Sequence, residues 1–200
     1  MIRRRLPGLL GLLLLLGGCA SINERHPELA AAAGPDVATV YFIRPVPTFT
    51  HPYADAPVSV QYQGELLLTL DEGVYTLVYL KPGNGEVRIY NNTLYTNNRQ
   101  SQRVWRERRY RFVAGRTYFI HVKQVDEEFR GIFYEPELVD LKEAKFLIRT
   151  ARAYGGAALA HPINKLKETT APPAGAVEPL EPALPEQLNP KGEYMKPRKP

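Results

Sequence analysis

Val58-Ser59-Val60-Gln61-Tyr62-Gln63 is the stretch that decides the fold class of this 200-residue chain. Apolar and polar side chains alternate strictly along it, so successive side chains would point to opposite faces of a sheet. One face would be buried and the other wet, which is typical of a surface strand in an antiparallel sheet. Gln63-Gly64 is a turn signal, and residues 65–70 then predict the second strand of a hairpin.

Short segments of the same kind flank this hairpin on both sides. Residues 37–43, with the sequence VATVYFI, are β-branched and aromatic and end before Pro45 and Pro47. Residues 91–102 are polar and asparagine-rich, and they predict a long loop or a protruding hairpin. Further strands are predicted at residues 74–80, 86–90, 103–113, 117–122 and 129–134. The sequence therefore predicts a mainly β fold, a small antiparallel β-sandwich, with a small barrel as the alternative.

One helix is predicted after the strands. Asp140 and Glu143 form a capping-box-like start, in which the aspartate accepts backbone N–H bonds and the glutamate reaches back. Gly155-Gly156 is expected to end the helix, which should pack on the sheet or cover a sheet edge. Five apolar or small side chains fall on one face at helical spacing: Leu141, Ala144, Leu147, Ile148 and Ala151.

The composition changes after this helix. Residues 155–200 are rich in glycine and proline, and eight of the last 32 residues are prolines. This composition predicts a disordered, partly polyproline-like tail behind a folded domain at residues 37–154. Two interpretations of the tail stay open: contact with a partner away from the folded domain, or a tolerated disordered terminus.

Residues 1–18 resemble a bacterial lipoprotein signal peptide. Three arginines at positions 3–5 precede an apolar run of about 11 residues, shorter than the roughly 20 that a membrane-spanning helix needs. Leu16-Gly17-Gly18-Cys19 then resembles a lipobox, which makes Cys19 the predicted lipidation site. The resemblance implies two or three acyl chains such as palmitate, enough for firm anchoring. Residues 19–36 would be the lipidated tether. An aspartate after the cysteine would resemble an inner-membrane retention signal, so Ala20 favours the outer membrane, facing the periplasm. The tail could then contact peptidoglycan or a partner away from the membrane.

Removal of residues 1–18 would change the charge balance. Three of the 26 basic residues would be lost, which leaves 23 basic residues against 21 acidic ones and lowers the formal net charge from +5 to +2. A nucleic-acid partner needs a concentrated basic surface and is therefore not expected. Cys19 is the only cysteine, so an intramolecular disulfide and a cysteine-rich metal site are excluded.

Several short motifs, taken in order, resemble a bacterial lipoprotein domain family of unknown function. Val40-Tyr41-Phe42-Ile43-Arg44-Pro45 is similar to the family's first strand, which opens with a Val-Tyr-Phe-x-Arg-Pro sequence. Gln63-Gly64, Gly73-Val74-Tyr75, Pro82-Gly83 and the hairpin at 114–119 follow in the family's order. The resemblance covers roughly residues 37–135 and implies a small β-sandwich of an envelope lipoprotein without catalytic residues. The chain departs from the family at residues 91–109, where its connection is longer and more basic.

The candidate site for an anion or a partner lies at residues 99–111 and overlaps that departure. Alternation along a strand from residue 103 would put Trp105, Glu107, Arg109 and Arg111 on one face, with Arg106 and Arg108 near a frayed start. Arginines suit bidentate contacts with phosphates or carboxylates, and Trp105 offers a stacking surface. The alternative is a solvated strand edge whose arginines deter aggregation. The candidate residues are Arg99, Arg103, Trp105, Arg106, Arg108, Arg109 and Arg111.

The remaining polar residues carry no recognisable catalytic or metal motif. The four histidines, His26, His51, His121 and His161, show no metal-ligand spacing, and neither a metal nor a cofactor is expected. Arg44 beside Pro45 is interpreted as a structural clamp. The sequence thus favours a non-enzymatic binding or accessory module, anchored to the membrane by lipid. Its partner would be an envelope protein or an anionic glycan or lipid. The alternative is an envelope enzyme acting on glycan or lipid, with His51 and Asp55 near the arginines.

Overall fold

The computed structural model describes residues 33–47, 57–94, 101–127 and 131–167. Several predictions from the sequence lie outside these residues and stay predictions. They are the signal peptide, Cys19, most of the tether, Arg99, the loop with His51 and Asp55, and the proline-rich tail after residue 167.

The described residues form mainly β-strands with two short α-helices. The strands are β1 (Ala38–Arg44), β2 (Val58–Tyr62), β3 (Glu65–Leu70), β4 (Val74–Leu80), β5 (Gly83–Leu94), β6 (Ser101–Phe112), β7 (Thr117–Glu127), β8 (Gly131–Val139) and β9 (Arg152–Ala153). The helices are α1 (Leu141–Leu147) and α2 (Gly156–Ala160), and 3₁₀ turns lie at Ile148–Thr150 and Ile163–Lys165.

The strands build two sheets, which confirms the predicted β-sandwich. One sheet has five strands in the order β8-β7-β1-β4-β9, and the other has four in the order β3-β2-β5-β6. The predicted antiparallel pairing is wrong at two places in the five-stranded sheet. β1 runs parallel to β7, and β4 runs parallel to β9. A parallel pair needs a long connection between its two strands. Here the chain forms β4 and all four strands of the other sheet between β1 and β7.

The main core lies between the two sheets. β2 contributes Val58, Val60 and Tyr62, the three apolar positions of the alternating stretch, and all three are buried. Across from them, β1 directs Val40 and Phe42 inward at full burial. The period-two pattern thus predicted correctly which side chains of β2 enter the core.

The C-terminal part of the chain covers the other face of the five-stranded sheet. We call residues 141–166 the helical layer. Asp140 Oδ1 accepts a hydrogen bond of 2.7 Å from the Glu143 backbone N–H, which confirms the predicted N-cap. Tyr41, Ile43, Tyr75, Leu77 and Phe119 of the sheet pack against Ala144, Leu147, Ala158 and Ile163 of the helical layer.

The helical layer shows that the fold continues past residue 154, where the sequence placed the start of the tail. α1 ends at Leu147, not at Gly155-Gly156, and Gly156 begins a second helix. Ala158 and Ile163 are fully buried against the sheet. The expectation of one helix was wrong because a small-residue segment that looks like a linker can still cover apolar sheet residues.

The asparagine-rich segment is part of a long hairpin. β5 continues to Leu94 and β6 begins at Ser101, so both strands are longer than the sequence indicated. β5 and β6 pair over their whole length, from Gly83 opposite Phe112 to Leu94 opposite Ser101. The described residues of this segment, 91–94 and 101–102, are paired strand residues, which favours the hairpin over the long loop, and residues 95–100 lie outside the described residues.

Candidate anion-binding face

The outer side of the four-stranded sheet presents an ordered set of charged and aromatic side chains. Along β5 and β6, cross-strand pairing sets Glu86 opposite Arg109, Arg88 opposite Glu107, and Tyr90 opposite Trp105. These side chains point away from the core because their sequence neighbours Val87 and Ile89 point into it. We define the outward face as Glu86, Arg88, Tyr90, Asn92, Arg103, Trp105, Glu107, Arg109 and Arg111.

Arg88 is the centre of an ion-pair network on the outward face. Its Nε donates to Glu107 Oε2 over 2.7 Å, and its Nη2 donates to Glu86 Oε1 over 3.1 Å. Arg109 Nε lies 3.9 Å from Glu86 Oε2. Both glutamates of the face are therefore occupied by arginines.

Two arginines of the outward face, Arg88 and Arg103, lie over its two aromatic rings. The guanidinium carbon of Arg88 lies 5.8 Å from the ring centroid of Trp105. The guanidinium carbon of Arg103 lies 4.9 Å from the ring centroid of Tyr90. Because Tyr90 and Trp105 are direct cross-strand neighbours, the two rings sit side by side with a cation over each.

The outward face carries an excess of positive charge. Its four arginines face two glutamates, which leaves a net charge of +2 on this face. Arg103, Arg109 and Arg111 are exposed, and within the described residues neither Arg103 nor Arg111 has a carboxylate partner. At about 3.4 Å per residue, positions 103 and 111 lie roughly 27 Å apart along β6. The arrangement is a row of cations extended along one strand rather than a single-ion pocket.

The structure separates the sequence-predicted arginines into two groups. Trp105, Glu107, Arg109 and Arg111 share the outward face, as alternation predicted, and the structure adds Arg103 to them. Arg106 and Arg108 are not at a frayed strand start, because β6 is continuous from Ser101. Their role in anion binding stays a prediction that the structure does not test.

Arg106 and Arg108 point to the opposite side of β6 and contact β8. The Arg106 guanidinium carbon lies 4.4 Å from the Phe133 ring centroid, and Arg108 Nη2 lies 3.4 Å from Glu135 Oε2. These contacts close the side of the sandwich where the edge strands of the two sheets meet. They support the outward face from behind.

Three further hydrogen bonds fasten β8 to the β5–β6 hairpin. Tyr110 donates its hydroxyl to the Pro136 carbonyl over 2.7 Å, and burial raises the pKa of this phenol. Asn91 Nδ2 donates to the Ile132 carbonyl over 3.0 Å. Thr93 Oγ1 accepts a bond of 3.0 Å from the Ile132 backbone N–H. Side chains thus pair with three backbone groups on the outer edge of β8, and Pro136 lacks an N–H there.

Sequence reasoning missed Glu86, Arg88 and Tyr90 as members of the site. Their alternation with Val87 and Ile89 was visible in the sequence. Their partners were not, because cross-strand register depends on where the hairpin turns. The register of the structure, with Tyr90 opposite Trp105, shows that β5 contributes the other half of the outward face.

The two histidines in the described residues form no metal site. His161 is exposed at the end of α2. His121 Nδ1 lies 3.6 Å from Glu137 Oε2, but burial lowers the pKa of His121 more than this carboxylate raises it. The pair is therefore a neutral imidazole beside a carboxylate near pH 7. No cluster of three or more metal-ligating side chains occurs in the part of the chain that the structure describes.

Comparisons with known proteins found no match for this chain among family models, curated proteins or solved structures. The resemblance to a lipoprotein domain family therefore stays a prediction from the sequence motifs. Among the helices of the described residues, none has the length and apolar character needed to cross a membrane.

Proposed function

We propose that this chain is a lipid-anchored bacterial envelope lipoprotein whose β-sandwich is a non-enzymatic binding module. The anchor is Cys19, and the chain sits on the outer membrane facing the periplasm. The module contacts a phosphate-bearing envelope surface, such as lipid headgroups or lipopolysaccharide, through the outward face. Peptidoglycan carboxylates and an acidic protein face are the other anionic partners to be tested.

One observation carries the proposal: an uncovered sheet face with surplus arginines. No described element packs across the outward face, whereas the helical layer covers the other sheet. Arg103, Arg109 and Arg111 remain exposed on it, along a strand that is fixed from behind by β8. An extended row of this kind matches an extended anionic surface better than it matches one small ligand.

The physical chemistry of arginine supports a phosphate surface. A guanidinium makes bidentate contacts with phosphate oxygens and is more weakly hydrated than an ammonium. Each arginine near an anionic membrane surface contributes about 1 kcal/mol. Three exposed arginines together therefore contribute about 3 kcal/mol, which is roughly a hundredfold in partitioning. The enzyme alternative depends on His51 and Asp55, which lie outside the described residues, and it gains no support from the described ones.

The test is a comparison of vesicle binding between two triple variants. Arg103→Gln with Arg109→Gln and Arg111→Gln neutralises the outward face. Lys142→Gln with Arg152→Gln and Lys165→Gln removes the same charge from exposed positions of the helical layer. We expect the outward-face variant to lose about a hundredfold in the ratio of binding to phosphatidylglycerol over phosphatidylcholine vesicles. The helical-layer variant should keep that ratio within about threefold.

The ratio separates the outward face from the anchor, because a lipid anchor inserts into both kinds of vesicle. Equal losses in the two triple variants would show that only net charge matters and would overturn the assignment of the face. Purified peptidoglycan in place of vesicles tests the carboxylate partner with the same variants.

The anchor has its own test. Cys19→Ser removes the predicted lipid attachment site, and we expect the protein to leave the membrane fraction because the acyl chains supply most of the binding. Retention of this variant in washed membranes would contradict the lipoprotein assignment without bearing on the outward face.

A further inference from the structure

A cleft of about 590 Å³ opens beside the end of β1. β1 ends at Arg44, where Pro45 and Pro47 follow, whereas its parallel neighbour β7 continues to Glu127. Prolines lack the N–H groups that would extend the pairing. The end of α1 and the following 3₁₀ turn line the opposite wall. The volume is within the range of about 300–1,000 Å³ that small-molecule sites occupy.

The inside of this cleft is largely apolar. Val122, Tyr134 and Leu147 line it and are buried. At its mouth, Val46 and Phe146 are 43% and 58% exposed. Large apolar side chains at the mouth of an apolar cleft indicate a ligand with a hydrophobic part.

The described lining of the cleft includes basic side chains and no acidic one. Among its described lining residues, four are basic and none is acidic. The basic residues are Arg44, His121, Lys123 and Arg149. An apolar cleft with a cationic lining is complementary to an amphiphile whose head is an anion.

The four basic groups differ in how available they are. Arg44 is buried and donates to the Leu70 carbonyl over 2.8 Å and to the Tyr134 hydroxyl over 2.9 Å. Lys123 Nζ contacts Glu137 over 3.1 Å, and burial keeps His121 neutral near pH 7. Arg149 is exposed, and its guanidinium carbon lies 5.1 Å from the Phe146 ring centroid. Within the described residues it has no carboxylate partner.

We infer that this cleft binds a single-chain carboxylic acid, with the alkyl chain between β7 and α1 and the carboxylate at Arg149 beside Lys123. The site is separate from the outward face, since none of its lining residues belongs to that face. The proposed function is contact between the outward face and an anionic envelope surface. The cleft gives the same chain a second ligand, a small amphiphile.

The first experiment measures how affinity depends on chain length. The purified full chain is titrated calorimetrically with hexanoate, octanoate and decanoate, each below the concentration at which it forms micelles. Each methylene that enters the cleft should strengthen binding about fourfold. Absence of binding, or an affinity that does not depend on chain length, would overturn the inference.

The second experiment separates the apolar contact from the charge. Phe146→Ser should weaken decanoate binding about tenfold, because it removes the exposed ring at the mouth. Arg149→Gln should weaken decanoate binding about tenfold but leave decanol binding unchanged, because only the carboxylate uses the guanidinium.

Leu159→Ser and Arg152→Gln are the matched controls, since both residues are exposed in the helical layer and lie outside the cleft. We expect neither to change the affinity by more than about twofold. All four positions are exposed, so the variants should keep the fold, which circular dichroism checks. Equal effects of test and control variants would show that decanoate binds elsewhere. The outward-face triple variant should bind decanoate normally, so failure here is distinguishable from failure of the proposed function.

Discussion

The outer faces of the two sheets differ in the polarity of their side chains and in whether protein covers them. On the five-stranded sheet, Tyr41, Ile43 and Phe119 point outward and are covered by the helical layer. On the four-stranded sheet, Arg88, Tyr90 and Trp105 point outward, and no described element covers them. The first face is apolar and contributes to stability. The second is charged and aromatic, and it is free to contact something else.

The difference shows how sequence pattern and burial are linked in this fold. A strand with one wet face alternates, as β2 does, whereas β1 is apolar on both faces because protein covers both. The charged alternation of β5 and β6 is therefore informative. It marks a face that the rest of the described chain does not bury. Substitutions on the two faces should therefore differ in how much they lower the free energy of unfolding.

The largest expected effect is on the covered face. Phe119→Ala removes a buried ring that stacks on Tyr41 with centroids 5.4 Å apart, and it leaves a cavity under the helical layer. We expect a loss of about 3–5 kcal/mol in the free energy of unfolding, measured with urea. Tyr90→Ala on the outward face is the control and should cost less than about 1 kcal/mol. Similar losses at both positions would show that the outward face is buried too.

Arg44 should be nearly as important, because it joins the two sheets. Its guanidinium donates to Leu70 of β3 and to Tyr134 of β8, and the side chain is fully buried. Arg44→Met would leave both acceptors without this donor, and we expect a loss of about 3 kcal/mol. Arg111→Met, at an exposed position of the outward face, should change stability by less than about 0.5 kcal/mol. A neutral result for Arg44→Met would contradict the clamp.

A smaller effect is expected at the seam behind the outward face. Tyr110→Phe deletes the buried hydroxyl that donates to Pro136 and leaves that carbonyl without its partner. The expected cost is about 1–2 kcal/mol in the free energy of unfolding. Tyr154→Phe is the control, since Tyr154 is 55% exposed. If Tyr110→Phe costs no more than the control, then the seam does not fix β8 to the hairpin.

The smallest effect is a pH dependence from His121 at the edge of the cleft. Burial lowers the pKa of His121 in the folded state, so the unfolded chain takes up this proton first as the pH falls. Stability should therefore decline as the pH falls below about 6.5, and His121→Gln should reduce that decline. Urea unfolding at pH 7.5 and 5.5 measures it, with the exposed His161→Gln as control. A steeper decline in His121→Gln than in the parent chain would reverse the sign and contradict this assignment.

The sequence predicted the fold class and much of the local structure because both depend on short-range patterns. Alternation and capping account for the strands at residues 58–62 and 65–70, for the Asp140 cap, and for the shared face of Trp105, Glu107, Arg109 and Arg111.

What the sequence could not predict depends on distant contacts. The predicted strand begins at residue 86, but β5 begins at Gly83 and includes Gly85, where the Tyr62 ring fills the space that a Cβ atom would need. Two further contacts join different parts of the chain. They are the parallel pairing of β1 with β7 and the position of Arg88 over Trp105. The segment of α2 is rich in small residues, so its composition alone indicates part of the tail. It is buried because the five-stranded sheet supplies its packing partners.

The most direct test of the outward face is photocrosslinking in living cells. A photoreactive amino acid replaces Trp105 on the outward face or, in the control, Leu159, which is 65% exposed in the helical layer. We predict adducts with envelope lipid or lipopolysaccharide from position 105, few from position 159, and loss of the former when Arg103, Arg109 and Arg111 are changed to glutamine. Equal adducts from both positions, or adducts from position 105 that survive those three substitutions, would contradict the claim that this face is the contact surface.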